Sequence, residues 1–200
     1  VKLTQPAATS DEKIVYDGTE KKAGTAIDSG NTGIETIPEN AITYATVTNG
    51  TPSTYSTTAP KNAGTYKAKL TLGTGDNIVS IEINFTIEKA ASPLNMPEAA
   101  MAPAHSTKKV GDITLPDGWN WSNTDKDKEL TDGVAVTATA VYTGADKGNY
   151  ENVSVTITIT RSSCDHKNTE VRDKKDVTCT EDGYSGDVYC KDCTVLVTRG

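Results

Sequence analysis

The most constraining feature of this sequence is a strict two-residue alternation of apolar and polar side chains. Successive side chains of a β-strand point to opposite faces, so this period predicts a strand with one buried and one solvated face. The apolar positions of the clearest run are Ile81, Ile83, Phe85 and Ile87. Residues 66–72 alternate in the same way, and Gly-Thr-Gly-Asp-Asn at 73–77 predicts the turn between the two strands. We therefore expect an antiparallel hairpin.

The same strand–turn–strand pattern recurs about 70 residues later, as expected of a diverged internal repeat. Residues 136–142 alternate, and a stretch rich in Gly, Asp and Asn at 143–150 separates them from a second alternating run. The apolar positions of that run are Val153, Val155, Ile157 and Ile159. We expect these positions to be buried and the residues between them to be exposed.

Paired short strands without a helical period predict an all-β fold of two tandem Ig-like β-sandwich modules. Between the repeats, residues 90–105 are rich in Ala and contain three prolines, which block a continuous helix. The start of this stretch is therefore expected to be a linker. The expected organisation is a leader or linker at 1–10, Ig-like modules at 11–90 and 91–162, and a small hairpin-rich cysteine module at 163–200, here called the tail.

Composition narrows the class of partner. The net charge of −7 argues against nucleic acid, which binds basic surfaces, and against an anionic membrane surface. No apolar run approaches the roughly 20 residues that cross a bilayer, so membrane insertion of this segment is not expected. Hydrophobic residues make up 35% of the chain, which favours small modules with thin cores.

Three segments carry a resemblance to known repeats. Tyr16-Asp17-Gly18-Thr19 and the sequence Ala-Pro-Lys-Asn-Ala-Gly-Thr-Tyr at 59–66 resemble MBG-type bacterial Ig-like repeats. Residues 110–142 with Asn149-Tyr150 resemble a related surface repeat. The tail resembles a short cysteine-containing repeat. The resemblance implies a segment of a large secreted or cell-wall protein of a Gram-positive gut anaerobe, and hence an extracellular location.

The resemblance to Ig-like folds also implies a role for Tyr66. A tyrosine at the start of a late strand can hydrogen-bond back to the preceding corner, the arrangement known as a tyrosine corner. In this sequence Gly64 and Tyr66 are separated by one residue at the expected start of such a strand. We therefore expect the Tyr66 hydroxyl to bond back to the corner that precedes the strand.

Catalytic signatures are missing from the sequence. The only two histidines are His105 and His166, and no nucleophile elbow, zinc-protease helix or phosphate-binding loop occurs. The chain is therefore expected to be non-catalytic, and the resemblance implies an extracellular stalk, spacer or adhesion segment of a cell-surface protein. The alternatives are a module that binds carbohydrate or a host ligand, with cell-wall or host glycans or proteins as partners, and an accessory region of a larger extracellular enzyme.

Trp119 and Trp121 are the candidate ligand-binding residues. At positions i and i+2 of a strand, both indoles lie on one face, where a flat exposed pair could stack on a sugar ring. Since the second module has few other large apolar residues, burial in its core is the favoured interpretation. The acidic run 123–132 has alternating oxygen ligands like a Ca²⁺ loop, but the glycine that such a loop requires is absent. A solvated turn is favoured there.

All four cysteines lie in the tail, and two interpretations remain open for them. One is a zinc site built from Cys164, His166, Cys190 and Cys193, with Cys179 as a substitute ligand. The other is two disulfides, which the even count and an oxidising compartment favour slightly. A simple meander would bring Cys164 to Cys179. Thr194, where a metal-binding knuckle usually has glycine, also favours disulfides.

Overall fold

The computed structural model describes residues 1–10, 12–26, 37–73, 76 and 78–200, and the fold is all-β as predicted. Thirteen strands lie in this part of the chain: β1 Lys2–Thr4, β2 Gly24–Ala26, β3 Ile42–Thr48, β4 Thr51–Pro52, β5 Gly64–Leu72, β6 Val79–Ile87, β7 Ala100–Met101, β8 Trp119–Trp121, β9 Ala135–Tyr142, β10 Ser154–Thr160, β11 Thr169–Arg172, β12 Asp187–Cys190 and β13 Leu196–Thr198.

Helical structure within the described ranges is limited to three short 3-10 turns, at Glu39–Ala41, Val110–Asp112 and Lys147–Asn149. Helix confined to short turns is what the alternating sequence predicted. Within the same ranges, no helix has the length and apolar character needed to span a membrane.

The chain divides into two compact units. Unit 1 comprises Val1–Leu94 and Ala145–Val153, and unit 2 comprises Asn95–Gly144 and Ser154–Gly200. The module boundaries expected at 90 and 162 remain predictions. Within residues 1–10, β1 pairs with β2 and the side chain of Leu3 is only 3% exposed.

Unit 1 is built on an antiparallel sheet with the strand order β4-β3-β5-β6. In the predicted hairpin β5 pairs with β6, and Tyr66 lies opposite Phe85. Of the turn predicted at 73–77, residues 74, 75 and 77 lie outside the described residues. The apolar face of the sheet packs against β1 and the 14–23 segment. The buried apolar residues are Leu3, Ile14, Ala23, Tyr44, Ala59, Tyr66, Ala68, Leu70, Phe85 and Ile87.

Side-chain burial follows the predicted alternation. Phe85 and Ile87 are buried, Ile81 and Ile83 are partly buried, and the polar residues between them are exposed. The later run behaves in the same way: Ile157 and Ile159 are buried, Val153 and Val155 are partly buried, and Ser154, Thr156 and Thr158 are exposed. The predicted corner is also confirmed, since the Tyr66 hydroxyl donates to the Asn62 carbonyl over 2.9 Å.

Unit 2 contains a four-stranded sheet with the order β7-β10-β9-β8. Its apolar face is covered by irregular segments that carry Val110 and Leu130, which are 0% and 4% exposed. The buried apolar residues of this core are Val110, Trp119, Leu130, Ala138, Ala140, Ile157 and Ile159. The tail belongs to the same unit and forms a separate antiparallel sheet with the order β11-β12-β13.

Both units contain a parallel pairing between an early and a late segment. In unit 1, Val15 lies opposite and parallel to Glu88, the residue after β6. The Glu88 N–H donates to the Ile14 carbonyl over 2.7 Å, and the Tyr16 N–H donates to the Glu88 carbonyl over 2.9 Å. In unit 2, β7 runs parallel to β10. The remaining pairings between the described strands are antiparallel.

Candidate metal centre

The pairing of β11 with β12 gathers the tail's potential metal ligands at one end of its sheet. The strands are antiparallel, with Thr169 opposite Cys190, so the start of β11 lies beside the end of β12. Cys164 and His166 precede β11, whereas Cys190 ends β12 and Cys193 lies in the turn that follows. The register therefore brings together side chains from both ends of the tail sequence.

The ligand atoms of these four residues all lie within 4.8 Å of one another. Cys164 Sγ is 3.4 Å from Cys190 Sγ, and Cys193 Sγ is 3.3 Å from His166 Nδ1. A tetrahedral site with metal–sulfur bonds of ~2.3 Å has ligand–ligand distances of about 3.7 Å, close to these separations. The cluster could therefore hold a metal ion.

The backbone around Cys190 and Cys193 forms a tight knuckle. The Thr194 N–H donates to the Cys190 carbonyl over 2.8 Å, and the Cys190 N–H donates to the Val195 carbonyl over 3.0 Å. The Lys191 N–H also donates to the Asn168 carbonyl over 2.8 Å, which fixes the knuckle to the segment before β11. With these bonds in place, the sulfurs of Cys190 and Cys193 both lie in the cluster.

Thr194 adopts the conformation for which knuckles usually use glycine. Its φ of 61° lies in the left-handed region, which is unfavourable for a β-branched residue. In the sequence, the absence of glycine at position 194 argues against a metal site. The structure instead forms the turn with threonine, so that argument does not hold.

Replacement of Thr194 by glycine should stabilise the tail by about 1 kcal/mol, because a left-handed conformation costs an L-residue roughly 1–2 kcal/mol and glycine loses part of that gain to chain entropy. Denaturant unfolding of the tail, followed by hydrogen exchange, measures the change. Thr198→Gly is the matched control, since Thr198 lies in extended β13 and its replacement should be destabilising. Equal destabilisation by both substitutions would contradict the role assigned to the backbone at Thr194.

The electrostatics of the cluster favour a cation at its centre. A hydrogen bond from His166 contributes most to lowering the pKa of Cys190, to about 6. The backbone N–H of His166 favours the Cys164 thiolate, but desolvation and the neighbouring Cys190 and Cys193 sulfurs raise the pKa of Cys164 to about 11. Closely spaced thiolates repel one another, and a bound metal ion would supply the positive charge that offsets this repulsion.

The predicted Cys164–Cys179 disulfide is wrong: all four cysteines are free thiols and Cys179 lies outside the cluster. The simple meander assumed a strand that returns Cys179 to the start of the tail. Residues 173–186 instead form an arm, closed by pairing between Lys175 and Tyr184, which leaves the sheet at its opposite end. Cys179 is exposed on this arm.

The two tryptophans lie on the core face of unit 2. Trp119 is 4% exposed and its ring centroid is 5.4 Å from that of Tyr142. Trp121 is partly buried against the same core, and its Nε1–H donates to the Ile113 carbonyl over 2.9 Å. This placement corresponds to the favoured core interpretation and removes Trp119 from the surface on which a sugar could stack.

The acidic loop forms a turn around the Asp125 carboxylate. That carboxylate accepts hydrogen bonds from Lys128 Nζ at 2.8 Å, the Thr139 N–H at 2.8 Å and the Ser122 hydroxyl at 3.0 Å. Lys128 contributes most to holding the pKa of Asp125 well below its usual range. Asn123, Asp127 and Glu129 are exposed. The Asp125 carboxylate oxygens are thus engaged by protein donors, as in the favoured turn interpretation.

Sequence reasoning missed an ion network in unit 2. Asp132 Oδ1 accepts a hydrogen bond from Arg161 Nε over 2.7 Å and lies 2.9 Å from His105 Nδ1. Arg161 Nη1 also donates to the Thr107 carbonyl over 3.1 Å. The three side chains are far apart in sequence and no local pattern links them. They fasten the segment around residues 105–107 to the end of β10.

Comparisons of the chain with protein-family models, with curated proteins and with solved structures found no match. The fold and the site therefore define only a class: an all-β chain whose tail carries a cluster of three cysteines and one histidine able to hold a metal ion.

Proposed function

We propose that this chain is a non-catalytic structural segment of a secreted bacterial surface protein, and that a structural zinc ion stabilises its tail. The observation that carries the proposal is the ligand count at the metal centre. Cys164, His166, Cys190 and Cys193 would fill all four positions of a tetrahedral ion. Catalytic zinc sites keep one position open for water or substrate, whereas structural sites are closed by protein ligands.

The chemistry of the donors favours zinc. Thiolate and imidazole ligands in a tetrahedral arrangement are typical of zinc, whereas calcium and magnesium prefer oxygen ligands and higher coordination numbers. The Cys190 side chain is fully buried at the centre of the cluster. Zinc would hold it together with the segment before β11.

The tail needs such a crosslink because it has almost no apolar core. Cys190 is the only hydrophobic residue of the tail that is buried, while Val171, Val177 and Val195 are each more than half exposed. Domains this small rarely fold on hydrophobic burial alone and are commonly stabilised by disulfides or a metal. With the cysteines free, a metal is the crosslink that the tail's own side chains can provide.

The spacer role is supported by the way the repeat-like residues serve the fold. Tyr66 closes a corner in unit 1, and Trp119 and Trp121 fill the core of unit 2. The resemblance to surface repeats of Gram-positive gut anaerobes suggests the extracellular location. We propose that the modules act as spacers within a longer secreted protein.

Tryptophan fluorescence distinguishes a spacer from a carbohydrate-binding module. Because the two indoles are packed in the core of unit 2, emission should be blue-shifted, resistant to iodide and unchanged by soluble cell-wall or host glycans. Trp121→Phe isolates the signal of buried Trp119. Iodide quenching together with a glycan-dependent shift of emission would favour the binding module instead.

A further inference from the structure

Unit 1 is assembled from two separate stretches of chain. The second stretch, Ala145–Val153, is the connection between β9 and β10. We propose that Tyr16, Asn62-Ala63 and Ala90-Ala91, here called the receiving surface, form a specific docking site for a Gly-Asn-Tyr strand connection supplied by the downstream repeat. The partner is thus a segment of this same chain.

Asn149 is the central contact of this docking. It is 6% exposed, an uncommon degree of burial for a polar residue in a strand connection. Its Oδ1 accepts a hydrogen bond from the Ala63 N–H over 2.8 Å, and its Nδ2 donates to Asn62 Oδ1 over 3.3 Å. The Asn149 side chain thus provides a hydrogen-bond acceptor for the Ala63 N–H, which belongs to a partly buried residue.

The backbone on either side of Asn149 pairs with the chain that follows β6. The Ala90 N–H donates to the Asn149 carbonyl, and the Glu151 N–H donates to the Ala90 carbonyl, both over 2.9 Å. The Asn152 N–H donates to the Ala91 carbonyl over 2.9 Å. These bonds form a short parallel pairing, with Tyr150 opposite Ala90.

An aromatic contact completes the docking site. The rings of Tyr16 and Tyr150 meet edge to face, with centroids 5.4 Å apart and planes at 89°. Both hydroxyls lie near Asp146 Oδ2, at 3.3 Å for Tyr16 and 3.1 Å for Tyr150. Desolvation, with a smaller contribution from Asp146, raises the pKa of Tyr16. Such aromatic pairs contribute stability beyond their buried area.

Three of the docking segments also carry the sequence resemblance to surface repeats. Tyr16 opens the Tyr-Asp-Gly-Thr motif, Asn62-Ala63 lies in the motif that precedes β5, and Asn149-Tyr150 marks the second repeat. A polar side chain this buried, a backbone pairing and an aromatic contact converge on one surface. We infer that these motif positions encode docking in addition to local turn structure.

Amide hydrogen exchange in the full chain tests the proposal. Asn149→Ala should speed exchange of the Ala63 and Ala90 amides about tenfold or more, because their hydrogen-bond partner is lost or displaced. Asn152→Ala is the matched control: its side chain is exposed and only its backbone takes part, so both amides should keep their protection. Unchanged exchange in Asn149→Ala would overturn the proposal.

A second variant places the substitution on the receiving surface. Its effect is therefore independent of any local distortion that Asn149→Ala causes in the β9–β10 connection. Tyr16→Ala leaves that connection intact and should speed exchange of the Glu151 and Asn152 amides by a similar factor. Tyr55→Ala is the control, since Tyr55 lies in unit 1 and its ring and hydroxyl contact Lys69 and Glu82 there. Equal protection of Glu151 and Asn152 in both variants would overturn the proposal.

Discussion

One zinc ion should bind per chain, and its removal should abolish the fold of residues 163–200 while leaving the core of unit 1 intact. Where a small module has no other core, the free energy of metal binding becomes folding free energy, about 10–16 kcal/mol in zinc-finger peptides. Elemental analysis measures the stoichiometry. Hydrogen exchange in β12, for example at the Cys190 amide that donates to the Val195 carbonyl, should change from protected to unprotected when a chelator is added.

Two cysteine variants make this zinc prediction specific. Cys190→Ser removes the buried ligand at the centre of the cluster and should abolish zinc binding and the protection of β12. Cys179→Ser is the matched control, because Cys179 is exposed outside the cluster and its replacement should retain one zinc ion. A metal-free protein with four free thiols and a protected β12 would contradict the prediction, as would an intact mass that shows disulfides.

Replacement of Phe85 by alanine should destabilise unit 1 by about 3–5 kcal/mol, the usual cost of removing a buried phenylalanine. Phe85 is 3% exposed and stacks on Tyr66, with ring centroids 5.7 Å apart and planes at 29°. It also meets Tyr44 edge to face at 6.5 Å. The substitution therefore leaves a cavity between three strands. Denaturant unfolding followed by tyrosine fluorescence measures the loss.

Thr86 provides the control for this cavity. It is the next residue of β6 and its side chain lies on the exposed face of the same sheet, so Thr86→Ala should change the free energy of unfolding by about 0.5 kcal/mol or less. Similar losses for the two substitutions would mean that the inward face of β6 is assigned incorrectly. Comparable denaturant slopes for the two variants would show that the unfolding transition itself is unchanged.

The strands were predictable because their signal is local. Successive side chains of a strand point to opposite faces, so the alternation of apolar and polar residues in 81–87 is enough to predict which face is buried. The corner at Tyr66 was predictable for a similar reason, since the hydroxyl and its acceptor at Asn62 are only four residues apart. In both cases the sequence spacing limits the possible contacts.

The cluster in the tail was harder to predict because its ligands are brought together by register. Cys164 and Cys190 are 26 residues apart, and they meet only when 173–186 leaves the sheet as an arm instead of pairing as a strand. Thr194 also pointed the wrong way, because propensity favours glycine there and the local hydrogen bonds override it. The four candidate ligands were recognised from the sequence, but the choice between a metal site and disulfides was not.

The parallel pairings have a mechanical consequence. When two strands run parallel, the start of the first and the end of the second lie at opposite ends of the pair, as for the Val15–Glu88 pairing and for β7 with β10. A force that pulls the chain apart at those two points acts along the strands and loads all the hydrogen bonds between them together. A hairpin pulled at its open end would instead lose them one by one. A surface spacer made of such units would therefore resist stretching under flow or traction better than its modest cores suggest.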